Sequence, residues 1–325
     1  MYNRRQIFAW ASAALHLPAW TQTKTGWPKT IRMVVPFAAG GLADVMARIY
    51  AEHMARALGV VVVIDNRPGA GGLLGVQSVI KSPNDGSTWL FTTTGTVWQN
   101  RILYRNISFD AERDLSPVAI IPAGPLVLAT SEQVPVKTLI EFVTWAKDRK
   151  TSMGSFAPGS IVHMMGEALN RRYGLDLAIA NYKGETPMWS DLGSANISMA
   201  GGSVTGFTAI SAARNVRPIA TNGVRRSAKF SEVPTLLEQG FQDPVFKLTG
   251  GGFTMCAPAG TPVVILDEVA RCISEAESST RMRALQNTLG VVGLATVGRR
   301  EAAELWKIEA PQWIAAAQQS GISLD

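Results

Sequence analysis

Residues 34–44 read VVPFAAGGLAD, and this stretch predicts a turn from a buried strand into a helix. The apolar, largely β-branched run at 31–35 has the composition of a buried strand. After the turn, apolar residues recur at helical spacing over 42–57, and Gly59 stands where a helix would end. The stretch therefore indicates one strand-loop-helix unit near the start of the folded chain.

The glycines of this turn predict a binding site for an anion. Gly40 and Gly41 remove side chains where the helix begins, so its first backbone N–H groups face open space. A helix N-terminus carries roughly +0.5 charge and unpaired donors, which suit a carboxylate or a phosphate. The alternative is a tight turn in which the glycines serve packing alone. If the turn binds a ligand, Gly40→Val is expected to remove binding with little loss of fold.

The first residues have the order of an export signal. Arg4 and Arg5 precede an apolar run over 7–17, which is too short to span a membrane, and Pro18 follows. The paired arginines leave both the secretory and the twin-arginine routes open. We therefore expect residues 1–26 to be an export segment and the mature protein to be periplasmic.

Composition and charge fit an exported protein that binds small anions. The chain has 325 residues, of which 46% are hydrophobic, and this length suits two domains. Its net charge of +6 is spread along the chain without a basic-aromatic strip, so no nucleic-acid partner is expected. Cys256 falls in a predicted strand and Cys272 on a predicted helix, and either a disulfide or two buried thiols would fit.

Strand and helix signals alternate along the rest of the chain, which predicts an α/β doubly wound fold with parallel strands. The β-branched run at 60–64 predicts a buried parallel strand, and the strand at 89–92 leads into a polar loop at 93–96. A second unit begins near 125, with exposed loops predicted at 154–160 and 201–203. Ligands of such sheets gather at the carboxyl ends of the strands, where these loops fall.

Several motifs in fixed order resemble one family of proteins. The opening strand and turn are followed by DNRPGAGG at 65–72, PNDG at 83–86, YKG at 182–184 and APAGTP at 257–262. Together they resemble the tripartite tricarboxylate receptor family, periplasmic solute-binding proteins also called Bug receptors. The resemblance covers nearly all of the mature chain.

The resemblance implies two doubly wound, Rossmann-like lobes around a cleft, the type II architecture of periplasmic binding proteins. Residues 27–123 and 251–325 would form the first lobe and 124–250 the second. It further implies a monomer that binds a small carboxylate without a cofactor, for delivery to a membrane transporter or a sensor protein.

The expected ligand-binding residues come from both lobes. They are Phe37, Ala38, Ala39, Gly40, Gly41, Asp44, Thr93, Thr94 and Gly95 in the first lobe, and Ser155, Gly159, Ser160, Gly201, Gly202 and Ser203 in the second. Asp44 is expected to hold the loop rather than touch the ligand, since an acid in the first turn suits the helix dipole. No arginine or lysine lies in these loops, which favours a singly charged acid over citrate.

One enzymatic alternative stays open at this point. Ser155 or Ser160 could act as a nucleophile with His163 as its base, which would make the protein a hydrolase of carboxylate esters. The chain shows no third member of such a triad. Outside the signal the histidines are His53 and His163, too few for a metal site, so no catalytic or metal-binding residues are expected.

Overall fold

The fold is given by a computed structural model that describes residues 26–212, 215–223, 225–248, 252–289 and 296–325. The expected export segment lies outside these residues except for its last position, and so do residues 249–251, where the chain is expected to return from the second lobe to the first. Within the described chain, strands and helices alternate as the sequence predicts.

The strands lie in two sheets. They are β1 (Thr30–Val35), β2 (Val61–Asn66), β3 (Thr88–Thr93), β4 (Leu115–Pro122), β5 (Leu126–Ser131), β6 (Thr151–Ser155), β7 (Leu177–Asn181), β8 (Met199–Ser203), β9 (Val216–Thr221) and β10 (Gly252–Pro258).

The helices connect these strands and cover the sheets. They are α1 (Leu42–Leu58), α2 (Leu73–Ile80), α3 (Thr94–Trp98), α4 (Asn100–Leu103), α5 (Ala111–Asp114), α6 (Leu139–Ala146), α7 (Ile161–Tyr173), α8 (Glu185–Gly193), α9 (Val204–Ser211), α10 (Pro244–Lys247), α11 (Val263–Glu277), α12 (Thr280–Leu289) and α13 (Arg299–Ser320).

The two sheets share one topology. The first has the order β2-β1-β3-β10-β4, with β1 parallel to β2 and β3 and with β10 antiparallel to both of its neighbours. The second has the order β7-β6-β8-β5-β9, with the same pattern of three parallel strands beside antiparallel β5. In each sheet, the antiparallel strand is the one that the chain forms directly after it crosses from the other sheet. The predicted α/β fold of two doubly wound lobes is confirmed.

Helix α1 forms where the sequence places it because one of its faces is apolar throughout. The buried side chains on that face include Leu42, Met46, Ile49, Tyr50 and Met54. At its end Gly59 takes the left-handed conformation with φ of 68°, and its N–H donates to the carbonyl of Ala55. Glycine adopts that conformation without the steric cost of a Cβ, so the helix ends at the predicted residue.

Strand β2 is parallel, as predicted, but the expectation that it is fully buried is wrong. It pairs only with β1 and forms the edge of the first sheet. Val61 and Val63 are 59% and 47% exposed, whereas four of the six residues of β1, which has a strand on each side, are buried. A run of valines indicates a strand, but it does not tell whether other elements of the protein cover both faces of that strand.

The two cysteines are unpaired. Cys256 lies in β10 and Cys272 in α11, and both side chains are buried. Burial raises the pKa of Cys256 to about 12 and that of Cys272 to about 11. Both thiols are therefore protonated at neutral pH and behave as small apolar side chains.

None of the helices in the described ranges has the length and the continuous apolar character that crossing a membrane requires.

Candidate functional site

The predicted site begins where β1 ends and α1 starts. Gly40 has φ of 84°, and its N–H donates to Oδ2 of Asp44 over 3.0 Å. Gly41 is the N-cap of α1 in an extended conformation, and no side chain caps the helix. The first N–H groups of a 17-residue helix are thus left without a side-chain acceptor, at the carboxyl edge of the first sheet.

Asp44 fixes this loop from inside. Besides the Gly40 N–H, its carboxylate accepts from Nε of Arg48 over 2.9 Å and from Nδ2 of Asn66 over 3.1 Å. The same Asn66 amide donates to the carbonyl of Phe37, so the cluster joins the loop to the end of β2. Asp44 is only 3% exposed. Burial alone would raise the pKa of this carboxyl, but the hydrogen bonds from Arg48, Gly40 and Asn66 outweigh it and lower the pKa.

A second helix start faces the first across the cleft. Helix α8 begins after Gly184, which has φ of 124° and no side-chain cap. A Cβ placed on Gly184 would lie 3.1 Å from Cβ of Ala38, and one placed on Gly40 would lie 3.8 Å from Oγ1 of Thr186. Glycine at 184 therefore permits close approach of the two lobes. The starts of α1 and α8, both without a side-chain cap, face each other over a few ångströms.

These two helix starts line a cavity of about 60 Å³. Its lining residues are Phe37, Ala38, Gly41, Leu42, Ala43, Thr93, Ala123, Leu126, Phe156, Gly184, Glu185, Ser203, Gly252 and Phe253. A second cavity of about 30 Å³ lies beside it, lined by Phe37, Gly71, Thr93, Gly95, Thr96, Gln99, Asn100, Phe156, Ala157, Pro158, Ser160, Ile161 and Trp313. Phe37, Thr93 and Phe156 belong to both, and among the described residues no lysine, arginine or histidine lines either one.

Sequence reasoning missed Glu185, the one acidic residue that lines these cavities in the described part of the chain. It lies in the first turn of α8, half-buried, and its carboxylate accepts from the backbone N–H of Ser203 over 2.9 Å and from its hydroxyl over 2.5 Å. Burial raises the pKa of Glu185, although the two bonds from Ser203 and the indole N–H of Trp189 work against this. The residue directly follows the YKG motif, which was its only signal in the sequence.

The threonine hydroxyls of the expected ligand-binding segment at 93–96 are hydrogen-bonded within the protein. The segment at 93–96 is not a loop, because α3 starts there and Thr93 caps it by accepting from the N–H of Thr96. The hydroxyl of Thr94, which is fully buried, donates to the carbonyl of Gly252. Only Thr93 and Gly95 of this segment's predicted residues line a cavity.

In the second lobe, the side chains around 155–160 bond to one another. Oγ of Ser155 lies 2.7 Å from Oγ of Ser160 and donates to the carbonyl of Ala157. Ser160 in turn caps α7, and Nδ1 of His163 accepts from the N–H of Gly159 over 2.9 Å. Neither serine hydroxyl is bonded to the ring of His163, so these three residues do not form the expected nucleophile–base pair.

The predicted loop at 201–203 is wrong, because these residues form the end of strand β8. Gly201 and Gly202 are buried and line neither cavity, whereas Ser203 does. A Cβ on Gly201 would lie 2.6 Å from Leu128 and 2.9 Å from Val162, and one on Gly202 would lie 2.9 Å from Trp189. These glycines let α7 and α8 pack closely against the two faces of the strand.

This packing gives a stability prediction. We expect Gly201→Val to lower the free energy of unfolding by about 1–3 kcal/mol, the usual cost of overpacking a filled core. Gly298→Val is the control, because a Cβ at Gly298 meets no atom within 4 Å. Urea titrations of both variants test this, and equal midpoints would contradict the packing role.

Of the remaining predicted residues, Ala39, Gly40, Asp44, Ser155 and Gly159 line neither cavity. Ala39 and Gly40 are exposed, and Asp44 and Ser155 are buried in the polar clusters already described. The carbonyl of Gly159 accepts from Nε2 of Gln99, a bond that joins the two lobes. The structure thus brings together Phe37, Ala38, Gly41, Thr93, Gly95, Ser160 and Ser203 around the two cavities.

Comparison with known proteins gives one consistent result. Residues 46–308 match the family model described as tripartite tricarboxylate transporter family receptor. The protein BugT of Bordetella pertussis is 31% identical over 272 residues, which are 83% of this chain and 82% of BugT.

Two solved structures share the fold closely. Rpa4515 of R. palustris, solved with adipate, superposes with a TM-score of 0.82 at 27% identity, covering 91% of this chain and 99% of that one. MatC from Rhodopseudomonas palustris, solved with bound malate, gives a TM-score of 0.80 at 25% identity, covering 90% of this chain and all of the other.

Proposed function

The chain belongs to the tripartite tricarboxylate transporter receptor family, and on that premise we propose that its cleft captures a small carboxylate. The relatives are binding proteins rather than enzymes. The observation that carries the proposal is the cavity between α1 and α8, where two helix starts without side-chain caps face each other. The adipate and malate held by the two similar structures support a carboxylate as the ligand class.

The backbone supplies the binding groups in this proposal. The carboxylate lies at the start of α1, where the N–H groups of Gly41 to Ala43 and the positive end of the helix dipole favour an anion. A charge-assisted hydrogen bond contributes roughly 1.5–3 kcal/mol. A few such bonds, together with burial between the lobes, suffice for the roughly −8 kcal/mol of a micromolar dissociation constant.

The lobes that close on the ligand are taken as residues 27–123 with 251–325, and 124–250. The approach of Gly184 to Ala38 and the bond from Gln99 to Gly159 already join these lobes and support closure around a ligand. We further propose that the protein acts as a monomer in the periplasm, after export through the segment at 1–26. It would pass its ligand to a membrane transporter or report it to a sensor protein.

A thermal-shift screen across mono-, di- and tricarboxylates tests the ligand charge. We expect a singly charged acid to give the largest stabilisation and citrate little or none, because no cationic side chain among the described residues lines the cavities and Glu185 repels further carboxylates. At a hundredfold excess over the dissociation constant, a ligand stabilises by roughly 2.7 kcal/mol, or roughly 5 °C in Tm. If citrate gave the largest shift, the cleft described above would not be the binding site.

An assay with carboxylate esters separates binding from the hydrolase alternative. We expect no turnover above the uncatalysed rate, because the hydroxyls of Ser155 and Ser160 bond to each other and the ring of His163 is bonded to the backbone of Gly159. Turnover lost on Ser160→Ala would contradict a pure binding role.

A further inference from the structure

The acidic side chain of Glu185 lies in the cleft that we propose for an anion of the same charge. An anion seated at the start of α1 shares a cavity of about 60 Å³ with this carboxylate. Two like charges so close in a site largely shielded from water repel each other strongly. The carboxylate of Glu185 therefore disfavours binding of the proposed ligand, unless the ligand also carries a positive charge.

Nothing else among the described residues neutralises Glu185. It takes part in none of the ion pairs found there. Its carboxylate accepts from the backbone N–H and the hydroxyl of Ser203, and the indole N–H of Trp189 interacts with it as well. A carboxylate offers about four acceptor positions, so about one remains for a donor in the cavity. Burial without a cation raises the pKa of this group, which is a cost that an approaching cation would remove.

The position of Glu185 also limits the distance between the two groups of a ligand that would bind there. Glu185 and residues 41–43 at the start of α1 line the same small cavity, and the neighbouring Gly184 approaches Ala38. A ligand that spans them needs an anionic group and a donor only a few bonds apart. A short dicarboxylate would instead place its second negative charge against Glu185.

We propose that Glu185 binds a protonated amine of the ligand, so that the preferred ligand is a small zwitterion with one carboxylate and a nearby ammonium group. This inference rests on the proposed function, because it assumes that the carboxylate of the ligand lies at the start of α1. The ammonium group would donate to the carboxylate of Glu185, while Ser203 holds that carboxylate in place.

Calorimetric titration with matched pairs of acids tests the inference. The pairs are butyrate with 2-aminobutyrate and phenylacetate with phenylglycine, which differ only in the amine. In the wild-type protein we expect the amine member of the better-binding pair to bind about tenfold more tightly or better, as a charge-assisted hydrogen bond predicts. In Glu185→Gln we expect that advantage to disappear.

Glu132→Gln is the matched control, because Glu132 is exposed and follows the opposite end of β5 from Leu126, which lines the cavity. This variant should keep the wild-type preference. The comparison of pairs in the wild-type protein does not depend on how the variants fold.

The results of these titrations distinguish failure of the inference about Glu185 from failure of the proposed function. Equal binding of both members of a pair to the wild-type protein, or tighter binding of the member without the amine, would overturn the role of Glu185 and leave carboxylate capture standing. The same holds if Glu185→Gln kept the full preference for the amine. If no member of either pair bound, and the thermal-shift screen of carboxylates were also empty, the proposed function would fail and the inference with it.

Discussion

Replacing Gly41 by leucine is expected to weaken ligand binding at least about 100-fold, which corresponds to the loss of one or two charge-assisted hydrogen bonds. Gly41 lines the cavity at the start of α1, and a Cβ there meets only the carbonyl of Ala38, at 3.8 Å. The leucine side chain would occupy the space that the ligand carboxylate needs. The backbone at Gly41 is extended, with φ of −78°, and any residue adopts this conformation. The fold should therefore be retained.

Gly298→Leu is a closely matched control. Gly298 is also an N-cap without a side-chain bond, with φ of −77°, and a Cβ there meets nothing within 4 Å. Any cost of placing leucine at an N-cap is therefore common to both variants. The test is calorimetry with the acid that gives the largest thermal shift. Unchanged affinity in Gly41→Leu would refute the location of the site.

Gly41→Leu replaces Gly40→Val, the variant suggested by the sequence, as the test of the binding site. Gly40 has φ of 84°, a conformation that a β-branched residue adopts only with strain. Its N–H is already bonded to Asp44, so it is not free to bind a ligand. Loss of binding in Gly40→Val would therefore not distinguish a filled site from a distorted loop.

The second large effect is expected from Asp44→Asn. We expect the free energy of unfolding to fall by about 2–3 kcal/mol, because an amide cannot accept all the bonds that the carboxylate takes from Arg48, Asn66 and the N–H of Gly40. Ligand binding should weaken as well, since this cluster holds the loop before α1. Denaturant unfolding measures the first effect and calorimetry the second.

The pH dependence of the same variant supplies an independent check. The pKa of Asp44 is lowered in the folded protein, so its contribution is fully present above the pKa of the unfolded chain, about 4. As the pH falls below that value and through the lower folded pKa, the contribution is lost. The difference in unfolding free energy between wild type and Asp44→Asn should therefore shrink in that window.

Asp267→Asn provides the control for both measurements. Asp267 pairs with Arg299 at the surface, and its side chain is 55% exposed. Such exposed pairs contribute about 0–1 kcal/mol. A loss as large as that of Asp44→Asn would show that the stability comes from general electrostatics rather than from the loop cluster.

Local sequence was enough to predict most elements of the fold. Helix α1, for example, is bounded by the glycines at both of its ends, as the sequence predicts. The alternation of strands and helices gave the doubly wound architecture, because parallel strands need helical connections.

The wrong loop predictions concern glycines and threonines, because each of these residue types occurs in more than one kind of local structure. A pair of glycines indicates an exposed loop as readily as a strand packed tightly between helices, and only the contacts of Gly201 with Leu128 and Val162 decide between them. Thr93 caps a short helix rather than opening a loop, and a helix of five residues leaves no periodic pattern. Glu185 could not be found locally, because its role depends on Ser203, 18 residues further along the chain.

The most direct test of the account is a crystal structure of the protein with the acid that stabilises it most in the thermal-shift screen. We predict that its carboxylate lies between the starts of α1 and α8, with its oxygens accepting from the N–H groups of residues 41–43. A ligand found instead in the groove beside Arg171 and Arg172, a cavity of about 420 Å³ between α7 and α13, with the cleft unoccupied, would contradict the account.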